Sequence, residues 1–225
     1  MKVQLVSYSK PAPGFEAEGV DDVQELIAFC ARVSNPSAQI NTETSEKLIR
    51  YLVKHQHWSP LEMVSACLEI ETTRDIAHQI VRHRSFSFQE FSQRYANPVE
   101  DLAFASREAR LQDTKNRQNS IELDLENDEE DQKLDQMWRA KQDAVIMAAD
   151  KAYRWAIDNG IAKEQARVVL PEGLTKTRLY MNGTLRSWVH YIELRSAHGT
   201  QKEHMEIAKE CAKVIAEIFP LAHSL

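Results

Sequence analysis

Residues 74–95 concentrate the side chains in this sequence that are best suited to bind an anion. Four arginines, two histidines and three serines stand there with only two acids, in a chain of net charge -6. Arginine presents a planar fork of donors that matches phosphate, and serine hydroxyls add neutral donors. The segment therefore predicts a site for a phosphorylated ligand, in which Glu90 can accept hydrogen bonds from a base or a ribose.

Two other interpretations of this segment remain open from composition alone. In the first, it is the basic end of a helix, whose charges complement the helix dipole and acids elsewhere. In the second, His78 and His83 bind a metal ion, but helical metal ligands are usually four residues apart, these are five apart, and no carboxylate pair stands nearby. We therefore expect no metal site.

The length and composition predict a single globular domain over residues 1–225. The chain has 43% hydrophobic and 28% charged residues, enough apolar surface to offset the entropy of ordering. Between 99 and 132 the periodicity is poor, and residues 121–135 carry eight acids against one lysine. We expect an acidic, mobile excursion there, without chemistry. A sequence pI near 5.8 argues against a nucleic-acid partner that covers the whole surface.

The three cysteines indicate neither a disulfide framework nor a thiolate metal site. Cys30, Cys67 and Cys211 are far apart and form no CxxC pair. Cys30 and Cys211 fall on apolar helical faces and Cys67 in a strand, so none is expected to be a nucleophile. No apolar run reaches signal-peptide length or the ~20 residues that cross a bilayer. We expect a cytoplasmic protein without a membrane partner.

Alternation and helical spacing predict the elements that must position these residues. Strands are expected near 3–6, 63–70 and 177–181. Helices are expected after the caps Asp21 or Asp22, Thr42 or Thr44, Thr72 or Thr73, Thr184 and Thr200, and over 134–158 and 161–169. The predicted fold class is α/β (α+β), a mixed sheet flanked by helices.

The order of residues in the basic segment is more specific than its composition. It reads Arg82-His83-Arg84-x-x-Ser87-x-x-Glu90-x-Ser92-x-Arg94-Tyr95, which resembles the signature of the flavin-dependent thymidylate synthases. Flanking stretches resemble the same family: His57-x-Ser59-Pro60-Leu61-Glu62, Ala166-Arg167-Val168-Val169-Leu170-Pro171, Arg186-Ser187-Trp188 and Leu194-Arg195. The resemblance covers about residues 22 to 218. The sequence departs from the common family pattern at Met63, Gln89, Thr184 and Gly199-Thr200.

The resemblance implies the fold of the thymidylate synthase complementing proteins and a reaction. Family members methylate deoxyuridine monophosphate (dUMP) to dTMP, with 5,10-methylenetetrahydrofolate as carbon donor, NADPH as reductant and bound FAD. Carried over, the dUMP ligands are Gln79, Arg82, Glu90, Phe91, Ser92, Gln93, Arg94, Arg167 and Arg195. Arg195 is the expected catalytic residue, because it would stabilise negative charge that develops on the uracil ring without a protein nucleophile.

The resemblance also implies how the flavin is bound. The expected FAD ligands are Ser59, Arg82, His83, Arg84, Glu90, Thr184, Arg186 and His190. In the family these contacts come from different subunits of a homotetramer, so active sites are shared between chains. A shared pocket explains how a chain without a GxGxxG fingerprint can bind a dinucleotide.

Two functions of other classes remain as alternatives. One is a metal-dependent phosphohydrolase acting on nucleotides, resting on His55, His57, His78 and His83, although aspartate partners are missing. The other is a binding patch for RNA or DNA over 74–95, whose mark would be strong salt dependence.

Overall fold

A computed structural model describes residues 2–16 and 19–221, and in these the chain forms two sheets and a set of helices. The strands are β1 (Lys2–Tyr8), β2 (Ser65–Thr73), β3 (Phe86–Glu90), β4 (Arg110–Gln112), β5 (Ser120–Glu122) and β6 (Lys176–Thr184). The helices are α1 (Pro13–Glu16), α2 (Val23–Ala31), α3 (Ser45–Lys54), α4 (Arg74–Ile80), α5 (Pro98–Asp101), α6 (Glu129–Asp158), α7 (Lys163–Ala166), α8 (Leu185–Ser196) and α9 (Lys202–Ile218).

The main sheet has the strand order β1-β2-β6-β3. The α/β class is confirmed, but the sheet expected to be mixed is antiparallel at each described pair. Strands β2 and β6 pair along their full length, from Ser65 opposite Thr184 to Thr73 opposite Lys176. This register places β3 at one edge, where its last residue, Glu90, pairs with Leu179.

The two faces of this sheet differ in chemistry. On one face, apolar residues of β2 and β6 such as Leu68 and Met181 are fully buried against α8 and α9. Trp188 of α8 lies within this core and donates its indole N–H to the Ala66 carbonyl over 3.0 Å. The opposite face is polar, and Arg178 pairs there with Glu71 at 2.7 Å. The Glu90 side chain, at the end of β3, lies on the same side of the sheet as the apolar core, because Glu90 pairs with Leu179.

Gly183 is required by the way β3 packs on β6. A Cβ atom at this position would lie 2.4 Å from the Phe86 ring. Phe86 pairs with Gly183 across the strands. Its ring packs edge-on against the Trp188 ring, with 4.8 Å between the ring centroids. The missing side chain thus lets β3 approach the core closely.

Most predicted elements are present, with shifted ends. Helix α2 begins after Asp22, which accepts from the Glu25 amide at 2.8 Å, as its capping pattern predicts. The long helix begins at Glu129 instead of 134, because Asp128 accepts from the amides of Glu130 and Asp131. The last helix begins after Gln201, not Thr200. No helix of the described residues is long and apolar enough to cross a bilayer.

The region 99–132, expected to be an irregular excursion, contains secondary structure. Strands β4 and β5 pair as a hairpin, and Phe104 forms a bridge with Thr175. Arg107 donates to Asp75 of α4 at 2.7 and 2.8 Å, so this region is tied to the helix that begins the basic segment. The acidic residues after 121 belong partly to the first turn of α6, where they complement its dipole.

Candidate active site

The basic segment folds as a helix, a turn and an edge strand. Helix α4 ends at Ile80, a turn carries residues 81–85, and β3 follows. Ser187 of α8 donates to the Ser85 carbonyl at 3.3 Å, which fixes the turn against the core. The motif residues are therefore held on three connected pieces of backbone.

Glu90 is fixed at the end of β3 by two donors. Its Oε1 accepts from Arg74 Nη1 at 3.1 Å and from Thr177 Oγ1 at 2.8 Å. The Glu90 side chain keeps 21% of its surface exposed. A carboxylate held in this way keeps further acceptor capacity for a ligand.

Arg195 and His83 are 112 residues apart in sequence and form a direct hydrogen bond. Arg195 Nε donates to His83 Nε2 at 2.8 Å. His83 also packs edge-on against the Tyr191 ring at 4.9 Å. Since the bond uses Nε, the two terminal NH2 groups of Arg195 remain suited to bind a ligand.

The imidazole of His83 is neutral near pH 7. Burial lowers its pKa to about 4, and the nearby cations Arg195 and Arg82 act in the same direction. Because Nε2 accepts from Arg195, the ring proton is on Nδ1. His83 therefore serves Arg195 as a fixed acceptor.

Gln79 is connected to side chains from the last helix. Its Nε2 donates to Gln201 at 2.8 Å, and its Oε1 lies 3.3 Å from His204 Nδ1. His204 is fully buried, and its Nε2 lies 3.1 Å from the Tyr191 hydroxyl. The sequence predicted Gln79 as a site residue but missed His204 and Tyr191.

The residues after β3 form a more open part of the site. Phe91 donates its amide to the Arg178 carbonyl, and Ser92 accepts from the Arg94 amide at 3.4 Å. Gln93 is buried, and its Nε2 has no hydrogen-bond partner among the described residues. Arg94 pairs with Glu164 at 3.3 Å. This loop therefore supplies both an exposed cation and an unpaired buried donor.

Arg167 belongs to a segment that is linked to this loop through Glu164. It begins a 3-10 helix, Arg167–Val169, immediately after α7, which carries Glu164. Arg167 is exposed, and Val168 beside it is 83% exposed. The structure thus brings the Arg167 segment towards Arg94 through Glu164, while the Arg167 side chain faces outwards.

The expected flavin ligands from later in the chain surround the start of α8. Thr184 is the N-cap, and its Oγ1 accepts from the Ser187 amide at 3.3 Å. Arg186 forms an ion pair with Glu62, in the 3-10 helix that begins at Ser59. His190 packs edge-on against the Trp58 ring at 4.5 Å. Several of these polar groups therefore already have partners within the chain.

Arg82 and Arg84, in the turn before β3, are both exposed. They flank His83, which points the other way, towards Arg195 and Tyr191. The Arg-His-Arg sequence thus presents two cations outwards and one neutral ring inwards.

The cysteines are poor nucleophiles in this structure. Cys211 is fully buried, and burial raises the pKa of its thiol well above the usual range. Burial also raises the pKa of Cys30 and Cys67. Each is therefore mostly a thiol near pH 7.

The four histidines of the metal hypothesis do not gather around one point, although His55 and His57 both lie against the Tyr51 ring. His78 pairs with Glu172 at 2.6 Å, His83 bonds to Arg195, and His55 bonds through Nδ1 to the Tyr51 carbonyl. Within the described ranges, no group of three or more His, Cys, Asp or Glu side chains is arranged to hold a metal ion.

Two residues that the sequence analysis missed have different signals. His204 lies three positions before Ile207 on the apolar face of α9, so a polar residue at core spacing marks it. Thr177 lies in β6 and contacts Glu90 only because β6 pairs with β3, 87 residues away in sequence. Of the two, only His204 could have been found from the spacing of residues in the sequence.

Comparisons with known proteins agree with the motif. The family described as thymidylate synthase complementing protein matches residues 18–221. A probable flavin-dependent thymidylate synthase of Paramecium bursaria Chlorella virus 1 is 45% identical over 98% of this chain and 96% of its own. A flavin-dependent thymidylate synthase of Synechocystis sp. is also 45% identical, with the same coverage.

A solved structure shows the same fold. The UMP/dUMP methylase PolB of Streptomyces cacaoi, crystallised with 5-Br dUMP, superposes with a TM-score of 0.77 at 25% identity. The match covers 99% of this chain and 93% of PolB. Together with the sequence relatives, it shows that this chain is an enzyme, a methyltransferase that belongs to the flavin-dependent thymidylate synthase family.

Proposed function

We propose that this enzyme methylates dUMP to dTMP, with FAD as cofactor, 5,10-methylenetetrahydrofolate as carbon donor and NADPH as reductant. Family membership and the names of the 45% identical relatives support the reaction. The observation that carries the proposal is the Arg195–His83 bond, which fixes a guanidinium beside the basic motif without using its terminal NH2 groups.

Nine residues are proposed to bind the nucleotide. Exposed Arg94 and Arg167 are suited to its phosphate, since guanidinium forks bind phosphate with charge-assisted bonds. Glu90, held by Arg74 and Thr177, is suited to accept from the sugar or base. The full set is Gln79, Arg82, Glu90, Phe91, Ser92, Gln93, Arg94, Arg167 and Arg195.

Arg195 is proposed to be the catalytic residue. A uracil ring that gains electron density at its carbonyl oxygens is stabilised by a cation aimed at those oxygens. His83 acts on Arg195 as a positioning residue, because its neutral ring accepts from Nε and restricts rotation of the guanidinium. No cysteine is needed as nucleophile in this scheme.

The donors around the start of α8 and in the turn before β3 fit a dinucleotide such as FAD. Exposed Arg82 and Arg84 suit a pyrophosphate, and Ser59 and His190 add further donors. The proposed FAD ligands are Ser59, Arg82, His83, Arg84, Glu90, Thr184, Arg186 and His190. When bound, FAD supplies the electrons that reduce the transferred carbon. Arg186 already forms an ion pair with Glu62.

The proposed working unit is a homotetramer with active sites shared between subunits. Long helix α6 exposes large apolar side chains, with Met137 63%, Met147 72% and Trp155 61% exposed. Such an apolar surface on a long helix is typical of an interface. In the proposed homotetramer, a second copy of the chain covers this surface of α6.

The reaction is tested with purified enzyme reconstituted with FAD. The flavin absorbance spectrum is recorded before and after dUMP is added, and dTMP is measured with each co-substrate omitted in turn. We expect dTMP only in the complete mixture. Absence of both flavin binding and dTMP would contradict the proposal. Phosphate release that a chelator abolishes would favour the phosphohydrolase, and salt-sensitive binding of RNA or DNA would favour the nucleic-acid patch.

The assembly is tested by replacing Met147 and Trp155 with Asp. Charges on an apolar interface leave buried ions unpaired, so we expect loss of the tetramer and of activity. Light scattering measures the mass, and Lys54→Asp, at an exposed position at the end of α3, is the control. A tetramer of unchanged mass and activity would exclude α6 as the interface.

A further inference from the structure

A chain of four hydrogen bonds runs behind the candidate site. The Tyr191 hydroxyl lies 3.1 Å from His204 Nε2, and His204 Nδ1 lies 3.3 Å from Gln79 Oε1. Gln79 Nε2 contacts Gln201 Oε1 at 2.8 Å, and Gln201 Nε2 contacts Glu203 Oε2 at 2.9 Å. Tyr191 and His204 are at most 1% exposed. This series of hydrogen bonds therefore connects the buried core to Gln79, a residue proposed to bind dUMP.

Glu203 sets the direction of every bond in this chain. It forms an ion pair with Arg110, and a carboxylate in an ion pair accepts hydrogen bonds. Gln201 must then turn its NH2 group to Glu203 and its carbonyl oxygen to Gln79. A reversed Gln201 amide would place its carbonyl oxygen against the carboxylate. Gln79 therefore donates through Nε2 to Gln201.

The same logic fixes the tautomer of His204. Gln79 turns its carbonyl oxygen to Nδ1, so Nδ1 carries the ring proton and donates. Nε2 is then an acceptor, and the Tyr191 hydroxyl donates to it. Burial lowers the pKa of His204 to about 3, with Arg195 and His83 as further causes, so the ring stays neutral near pH 7.

We propose that His204, supported by Tyr191, is a positioning residue that locks the Gln79 amide so that its second N–H is presented to an oxygen acceptor of the nucleotide. One N–H of Gln79 serves Gln201, and the other remains for the ligand. Without His204, Gln79 loses the donor that holds its carbonyl oxygen, and the amide can rotate. This inference rests on the proposed binding of dUMP.

The binding test compares His204→Leu with His204→Asn. Leucine removes the donor at similar volume, whereas the Asn amide can place an N–H near Nδ1. We expect the KM and the Kd for dUMP to rise about tenfold in His204→Leu, the effect of one neutral hydrogen bond, with kcat and flavin content little changed. His204→Asn restores most of the affinity. His55→Leu, at an exposed position after α3, is the matched control.

The network is also tested without dUMP. In wild-type enzyme with labelled histidine, nitrogen-15 NMR should show two imidazoles, His83 and His204, that are protonated on Nδ1 and insensitive to pH between 5 and 8. The His204 signal is the one that disappears in His204→Asn. Tyr191→Phe, which removes only a hydroxyl, should weaken the tautomer preference and raise the dUMP Kd by less than His204→Leu. This variant answers the question if His204→Leu does not fold.

The outcomes separate the inference from the proposed function. Wild-type enzyme that shows the His204 Nδ1–H signal but does not bind dUMP would reject the proposed function, and with it the nucleotide role of Gln79. Wild-type enzyme that binds dUMP, with unchanged affinity in His204→Leu and Tyr191→Phe, would overturn the inference alone. Loss of affinity in His204→Leu without recovery in His204→Asn would assign His204 a packing role and also overturn it.

Discussion

Two parts of the candidate site are built in different ways. The inner part, around Arg195, His83 and Gln79, consists of side chains that bind one another inside the chain. The outer part includes Arg82, Arg84 and Arg167, which are exposed. The inner part is thus preorganised by the fold of one chain, whereas the outer part has its charges ready for a ligand or a second subunit.

The two parts differ in how much side-chain freedom remains before substrate binds. Inner residues are restrained before substrate arrives, so they are suited to orient a reacting group without a further entropic cost. Outer arginines keep their rotamer freedom and lose it only on binding. We therefore expect loss of the inner Arg195 to change turnover and loss of the outer arginines to change affinity.

The largest expected effect is the loss of Arg195. In Arg195→Ala, kcat should fall about a thousandfold, because loss of one preorganised group that stabilises developing charge costs on the order of 100 to 1000 in rate. Flavin absorbance should persist, since the outer arginines remain. The measurement is dTMP formation beside the flavin spectrum. Arg50→Ala, in an exposed ion pair with Glu46, is the control.

The Arg195–His83 bond sharpens this test. The family resemblance alone assigns His83 to the flavin, so that His83→Ala mainly weakens flavin retention. The structure adds a second consequence, since His83→Ala also removes the acceptor of Arg195. Loss of flavin with full residual turnover per bound flavin would show that the inner part does not act as a unit.

Glu90 lies where the two parts meet, and its loss should have a smaller effect. In Glu90→Gln, the dUMP affinity should fall about ten- to a hundredfold, as expected for hydrogen bonds to a charged group. Calorimetry measures the affinity. Glu71→Gln is a matched control, because Glu71 pairs with Arg178 on the polar face of the same sheet. Equal losses in both variants would indicate a general effect of sheet charge.

The outer part was easier to predict from sequence than the inner part. Arg82, Arg84 and Arg94 stand in a short segment whose spacing carries the family signature. The inner contacts join distant residues, such as His83 and Arg195, 112 positions apart, and only tertiary packing brings them together. A sequence motif can therefore point to Arg195 and His83 as candidate site residues, but it does not show that they bind each other.

The elements show the same limit. Helix α2 was predicted because its cap and its apolar spacing are local signals. Strand β3 was not, because Phe86, Phe88 and Glu90 share one face, and the acid at its end hides the alternation. Glu90 can be partly buried because Arg74 and Thr177 donate hydrogen bonds to it.

Acid should destabilise the folded chain through His83 and His204. The folded pKa of His83 is about 4 and that of His204 about 3, whereas an unfolded histidine titrates near 6.5. Below about pH 6.5 the unfolded chain binds protons that the folded chain does not, so the unfolding free energy falls as pH falls towards 4. The slope is at most about 1.4 kcal/mol per pH unit for each histidine.

Urea unfolding between pH 5 and 7 measures this slope, in wild type and in His83→Asn. The variant lacks one of the two groups, so its unfolding free energy should depend less steeply on pH. Carboxylates titrate mainly below this range and affect both proteins alike. An identical slope in the two proteins would mean that His83 is not held neutral by the fold.

The smallest expected effect concerns Thr184, an expected flavin ligand that the structure shows as the N-cap of α8. Thr184→Ala should lower the unfolding free energy by about 1 kcal/mol, the usual cost of a lost cap. Thr184→Ser should restore it, because serine keeps the hydroxyl that accepts from the Ser187 amide. Flavin affinity distinguishes the two roles, since a pure cap changes stability and leaves the flavin Kd near its wild-type value. A flavin Kd raised tenfold or more in Thr184→Ala and restored in Thr184→Ser would instead place this residue in the outer part, because its hydroxyl would then have to bind the cofactor as well as the helix.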